Sequence, residues 1–402
     1  MVQHSSGEDM SVTRTTAHVY WFTFAATLAF FVGFYALLVP LPRYLSAIGL
    51  PDWQVGFVLG AFGVASLIGR PIAGVASDRL GPRRVMLAGA ASLAIGALGV
   101  GFSTNLAVLF ALRMLQAGGY VAFTTAGTAL VVSLVAEAER ARRLAVFGAA
   151  ANLAISLTPA AASAVLEIAS LQWGFFMSAA FAALGGGIAL ILVPSGGQVA
   201  GAVAQQQWTI PRRLWLPMLA TALLGAGFAA FFQFAPILAE RRAISAGVLY
   251  TVYGAAIIAT RLFGGPLLDR LDVSRVVLVA ALIMLLAQVL LAIGESVPPL
   301  LVGAAGVAIS GGLFHPALIA RHAALLPEAP GRASAAFYVA FDLGIGVGSW
   351  ILGLALQLAG VSGLYWTAAG LAVIAVVLSP ALRARRVTAD QHASGAPLAG
   401  TL

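Results

Sequence analysis

GVASDRLGPRR, from Gly74 to Arg84, returns 191 positions later as GPLLDRLDVSR, from Gly265 to Arg275. Asp78 matches Asp269, Arg79 matches Arg270 and Arg84 matches Arg275. The offset also holds upstream, where Gly56 matches Gly247, Gly63 matches Gly254 and Arg70 matches Arg261. A charged turn repeated at about half the chain length, inside a very apolar protein, marks a duplicated membrane unit. Two such units around one pathway give the architecture of a secondary transporter.

The surrounding composition agrees. Of the 402 residues 61% are hydrophobic and 9% charged, where soluble domains carry roughly 25% charged. A spanning helix takes about 20 apolar residues, and the chain offers about twelve such runs. The short alternating segments of spanning strands are absent. The predicted fold class is therefore an all-α integral membrane protein, with twelve transmembrane helices in two pseudo-symmetric six-helix bundles. The predicted spans are 17–41, 52–75, 84–102, 105–134, 144–168 and 172–193, then 213–238, 245–268, 275–294, 297–325, 332–359 and 363–383. They divide the chain into an N-terminal tail (1–16), a first bundle (17–193), a linker (194–212), a second bundle (213–383) and a C-terminal tail (384–402).

All 22 basic residues are arginine, and the net charge is +8. Nucleic acid is not the expected partner, because the arginines sit in short loops where they set membrane orientation. With a cytoplasmic N-terminus, 18 arginines lie on or next to the cytoplasmic face, three lie outside (Arg43, Arg241, Arg242), and Arg113 lies within a span. Both termini are thus expected in the cytoplasm, in the cytoplasmic (inner) membrane of a bacterium. The polar start leads straight into a spanning run, unlike a cleaved signal peptide. Cysteine is absent, which excludes disulfides, thiol nucleophiles and thiolate metal sites. The five histidines are scattered, so no metal or cofactor is expected.

The repeat extends beyond the turn. GFYALLVPLP from Gly33 and GFAAFFQFAP from Gly227 each place a proline nine residues after the glycine. RRLAVFGAAANLAIS in the fifth span and RASAAFYVAFDLGIG in the eleventh match at an offset of 190, pairing Arg142 with Arg332, Phe147 with Phe337 and Asn152 with Asp342.

With these motifs in place, the chain resembles the major facilitator superfamily over nearly its whole length. GVASDRLGPRR is similar to that family's signature between its second and third helices. The match is full in the first half and degraded in the second, where Asp272 replaces the glycine. RMLQAGG from Arg113 is similar to a second family pattern, which Arg113, Gln116 and Gly118 fill. The fifth span departs from the family's exporters. SLTPAAAS keeps Pro159 but has Thr158 and alanines where glycines are expected.

The resemblance implies a proton-coupled exporter of a small, fairly apolar or amphipathic compound, not an enzyme, working as a monomer in the lipid bilayer. Proton-coupled import of a metabolite is the alternative. It further implies a conformational latch between the halves, closed in the outward-facing state, from Gly74, Asp78, Arg79, Gly81, Arg83 and Arg84 with Gly265, Asp269, Arg270 and Arg275. Independently, a carboxylate such as Asp78 at the membrane surface suits a neighbouring helix N-terminus, here that of the eleventh helix near Arg332.

Within the membrane, a charge at a helix centre costs roughly 2.5–3.5 kcal/mol on insertion scales and must find a partner or water. Arg113 reads as the one arginine well inside a span, and Asp342 as the one deep carboxylate. Burial raises a carboxyl pKa and a nearby cation lowers it, which suits a proton carrier. His315 in the antiparallel tenth span is expected at similar depth, giving a plausible His–Asp relay. The alternative is an Asp342 bound to glycine-rich backbone, as Asn152 would be in the other half. Gln116, Gln233, Tyr35 and Tyr120 complete the expected proton-coupling and substrate cavity, with Phe34, Phe123 and Phe314 as aromatic wall. The glycine runs at 185–187 and 344–348 lack a phosphate-loop context and are expected to pack helices closely.

Overall fold

A computed structural model describes residues 5–135, 137–193, 210–264 and 271–383. Helices make up almost all of them, and no strand occurs among the described residues. The first span is Ser5–Ala36 continued, after a turn, by Pro40–Ala47. The first half continues with Asp52–Leu80, Pro82–Val100, Leu106–Leu134, Glu137–Ile168 and Leu171–Leu192. The second half holds Trp215–Arg241, Ala246–Phe263, Val273–Ile293 and Val297–Leu325, then a run from Pro330 to Leu378.

That last run has 49 residues, about 74 Å of helix at 1.5 Å per residue, more than twice a hydrocarbon core of about 30 Å. It is two spans, broken at Ala359 and at Gly360, whose φ of +66° is open to glycine. The eleven long apolar helices therefore make twelve crossings, as the sequence predicts. The first helix begins at Ser5, ahead of its apolar span, which starts at His18, next to the expected residue 17. Most of the linker (194–209) and the C-terminal tail lie outside the described residues.

Inside lipid there is little hydrophobic drive between helices, so close packing of small residues must hold them. A Cβ on Gly89 would stand 2.7 Å from Gly119 O, and one on Gly119 only 2.5 Å from Gly89 O, fastening the third span to the fourth. In the two glycine runs, a Cβ on Gly185 would stand 2.7 Å from Ala26 O, and one on Gly344 2.7 Å from Ala222 Cα. These runs serve packing, as expected.

Two faces need names. The terminal face carries the Gly81 turn and the ends of the described chain at Ser5 and Arg383; the far face carries the turn before Asp52 and that between Arg241 and Ala246. The halves meet along two seams, the second span against the eleventh and the fifth against the eighth. Every inter-half hydrogen bond and ion pair among the described residues lies between the level of Arg70–Asp342 and the far face. Towards the terminal face no such bond joins them among the described residues, and the interface between the bundles on that side is called the cleft.

Candidate functional site

The far-face closure is built from glycine and a few polar clasps. A Cβ on Gly56 would meet Gly353 Cα at 2.6 Å, and one on Gly346 would meet Gly63 Cα at 2.6 Å. Trp350 lies against Gly60 and donates from Nε1 to Phe57 O at 3.1 Å. Across the other seam, a Cβ on Gly247 would meet Ser163 Cβ at 3.1 Å, and Gly254 lies directly on Ser156 O. At the rim, Arg241 Nη2 donates to both oxygens of Asp52 (2.7 and 2.8 Å), and Ser245 Oγ donates to Glu167 at 2.6 Å.

At the bottom of the second–eleventh seam sits the site's charge centre. Arg70 donates from Nη2 to Asp342 Oδ2 at 2.5 Å and from Nε at 3.1 Å. Ser66, one helical turn before Arg70, donates to the same oxygen. The Asp342 side chain is 6% exposed and that of Arg70 17%, and the guanidinium also lies 5.2 Å from the Tyr338 ring centroid. This pair corrects two expectations. Arg70 belongs inside the second span, ten residues before its end at Leu80, so Arg113 is not the one intramembrane arginine. Nor does Asp342 form a relay with His315. The Asp342 carboxylate faces the second span, where a guanidinium offers two donors. His315 is instead ringed by Phe337 at 4.7 Å, Phe341 at 5.5 Å and Tyr338 at 6.1 Å. Asn152 does bond backbone, donating to Gly148 O of its own helix at 3.3 Å.

Arg113 lies further towards the far face, 4% exposed. It donates from Nη1 to Gln116 Oε1 at 3.0 Å, and Gln116 passes a hydrogen bond to Gly96 O at 2.8 Å. Phe34 and Phe62 flank its guanidinium, with ring centroids at 5.7 and 6.0 Å. Gln233 donates to Ser349 Oγ at 2.8 Å. Arg113 Nε and Gln233 Oε1 are buried without a partner, and both residues line one small cavity of about 10 Å³, room for one water. Tyr120 packs on Phe34 at 4.4 Å and on Phe62 at 5.5 Å, linking this pocket to the cleft. Tyr35 stacks on Phe31 at 5.8 Å. Phe123 stacks on Phe30 at 4.0 Å inside the first bundle, and Phe314 packs near Phe341 at 6.3 Å.

Among the described residues, those of the expected latch make no bond between the halves. Among the described residues Asp78 makes no hydrogen bond or ion pair, and a Cβ on Gly74 would meet nothing within 4 Å. Arg83 donates to Leu190 O of its own half. Arg275 pairs with Asp272, three residues before it. Gly265, Asp269 and Arg270 lie outside the described residues.

The family model described as Major Facilitator Superfamily matches residues 23–246 and 242–401. The MFS-type transporter YhhS of Escherichia coli (strain K12), itself termed uncharacterized, is 26% identical over 365 residues, covering 87% of this chain and 88% of the relative. Among solved structures, the nucleoside transporter NupG (D323A mutant) superposes with a TM-score of 0.78 at 15% identity, over 90% of this chain and 99% of that one. A bacterial homologue of the human lysosomal transporter Spinster, solved inward-facing and unoccupied, gives 0.67 at 15% identity, over 92% and 96%.

Proposed function

The chain belongs to the Major Facilitator Superfamily, and from that premise we propose that it exports a small amphipathic organic compound in exchange for protons by alternating access. Both termini are assigned to the cytoplasm of a bacterium, since the terminal face carries most of the arginines. With the clasped side outward, this reading has the cleft admit cargo made or accumulated in the cell.

The observation that supports proton coupling is the Arg70–Asp342 pair spanning the two halves at the base of the closed seam. Protonating Asp342 would remove the negative end of that pair and free Arg70. The seam would lose its one charge clasp within the membrane, and rocking of one bundle against the other would become easier. When the terminal face closes in the opposite state, Asp78, Arg79 and Arg84 would come against the second half and act as the latch. Removing a small counterion from a buried pair changes the balance between two packed arrangements, and a carrier needs no larger trigger.

The test uses purified protein in liposomes with an internal pH dye, comparing wild type with Asp342→Asn across candidate compounds. Compound-driven proton movement that disappears in Asp342→Asn supports the assignment. Protons running with the cargo would establish import instead. Normal coupling in Asp342→Asn would remove Asp342 from the proton path.

A further inference from the structure

The two seams obey one register. Gly56 against Gly353 in the second–eleventh seam corresponds, through the offsets of 191 and 190, to Gly247 against Ser163 in the eighth–fifth seam. Gly63 against Gly346 corresponds in the same way to Gly254 against Ser156. Both contact pairs are present, so the repeat governs side-chain placement as well as topology. The next pair down the first seam is Arg70 with Asp342, and its counterpart is Arg261 with Asn152.

At that position the symmetry of charge is broken. The second–eleventh seam places a carboxylate opposite its arginine, while the repeat assigns a neutral carboxamide, Asn152, to that position in the fifth–eighth seam. Arg261 is exposed and makes no ion pair among the described residues. It lies in the last turn of the eighth span, two turns after Tyr253 on the same helix. Arg70 and Asp342 cancel each other, and Arg113 is sealed beneath the far-face seam. A cation at membrane depth with no counterion among the described residues is costly unless water or a ligand supplies the missing charge.

We propose that Arg261 anchors an anionic group of the cargo, and that the cleft takes organic anions with an apolar, aromatic-compatible body. The cargo's anion takes the place that Asp342 fills in the other seam, and Tyr338 and Phe341 beside His315 receive its apolar part. This deepens the carrier reading above and rests on it for the word cargo. It also makes Asn152 a specificity residue, because a carboxylate there would occupy Arg261 permanently.

The test uses the full chain in detergent with 1-naphthoate as probe and uncharged 1-naphthamide as its control, following thermal unfolding. Naphthoate should raise the midpoint and naphthamide should not. Arg261→Gln should weaken the apparent affinity about tenfold or more, as expected for loss of one charge-assisted contact, and Arg261→Lys should weaken it less. Asn152→Asp should raise the midpoint of the unliganded protein and abolish the naphthoate response. Equal stabilisation by naphthamide, no stabilisation by naphthoate, or a naphthoate shift that survives Arg261→Gln each overturns the anion site. The same proteins in liposomes separate the two readings. Arg261-dependent binding without flux of any compound overturns the carrier and leaves the site. Flux of a cargo indifferent to Arg261→Gln overturns the site and leaves the carrier.

Discussion

Arg70 and Asp342 are 272 positions apart in the chain and 2.5 Å apart in space, one in each half. Their pair marks where the polar clasps between the halves end among the described residues. Above it glycine backbones touch; below it no polar clasp crosses among the described residues. A charge pair at that boundary is broken whenever the seam opens, so its strength enters the balance between the two conformations directly.

Removing one member alone should therefore destabilise the protein more than removing both. Deleting one partner of a buried pair costs about 3–5 kcal/mol, whereas replacing both by apolar residues is often neutral; partial exposure of Arg70 puts this pair at the lower end. Thermal unfolding of Arg70→Leu, Asp342→Leu and the double variant measures this. The double variant should regain most of the loss, and additive single effects would mean the two side chains do not interact.

The far-face seam should open when its glycines are filled. A Cβ on Gly346 would stand 2.6 Å from Gly63 Cα, and backbone cannot yield as a flexible side chain would. The chain has no cysteine, so Ser163→Cys, placed at a site 3% exposed in the other seam, is a clean reporter. Its labelling by an impermeant maleimide should be about tenfold faster with Gly346→Val, a population shift of about 1.4 kcal/mol. An unchanged rate would mean that the seam tolerates the side chain without parting.

The sequence was legible wherever a local rule carried it. Apolar run length predicted twelve crossings, and small-residue runs predicted close packing, because each depends on neighbours a few positions away. The repeat predicted that Arg70 and Arg261 are equivalent, yet counting arginines by loop assigned both to the membrane surface. What spacing could not reveal is which long-range partner a deep charge selects. Asp342 and His315 share a depth and a half, but Asp342 sits on the helix face turned to the second span. The one available signal was the pair of offsets, which align Arg70 with Arg261 and Asp342 with Asn152. Those alignments show that a charge was retained on one side and lost on the other, without showing that the seams juxtapose them.

The degraded second copy of the turn has a conformational explanation with a measurable consequence. Gly81 has φ +85° and ψ 147°, a region essentially closed to other residues. Its counterpart Asp272 has φ −67° and caps the ninth span, accepting from the Arg275 N–H at 3.1 Å. The same corner is thus turned by glycine in one half and by an N-cap in the other. Gly81→Ala should cost about 1–3 kcal/mol, whereas Asp272→Gly should cost only a few tenths, since glycine is itself an acceptable N-cap. Equal losses in chemical or thermal unfolding would contradict this account.

Arg113 allows function and stability to be separated. Its guanidinium is buried with one hydrogen bond to a neutral amide, an unpartnered Nε and two phenylalanine rings as neighbours. A charge so poorly compensated adds little to stability, because an apolar side chain of similar length avoids its desolvation cost. Arg113→Met should therefore unfold at an equal or higher temperature than wild type. If the charge serves transport, the same variant should lose most of its flux in liposomes, and Arg113→Lys should not restore it fully, since an ammonium cannot reproduce the planar fork between two rings. A variant that is less stable and transports normally would make Arg113 a structural residue that holds the fourth span to the third through Gln116 and Gly96.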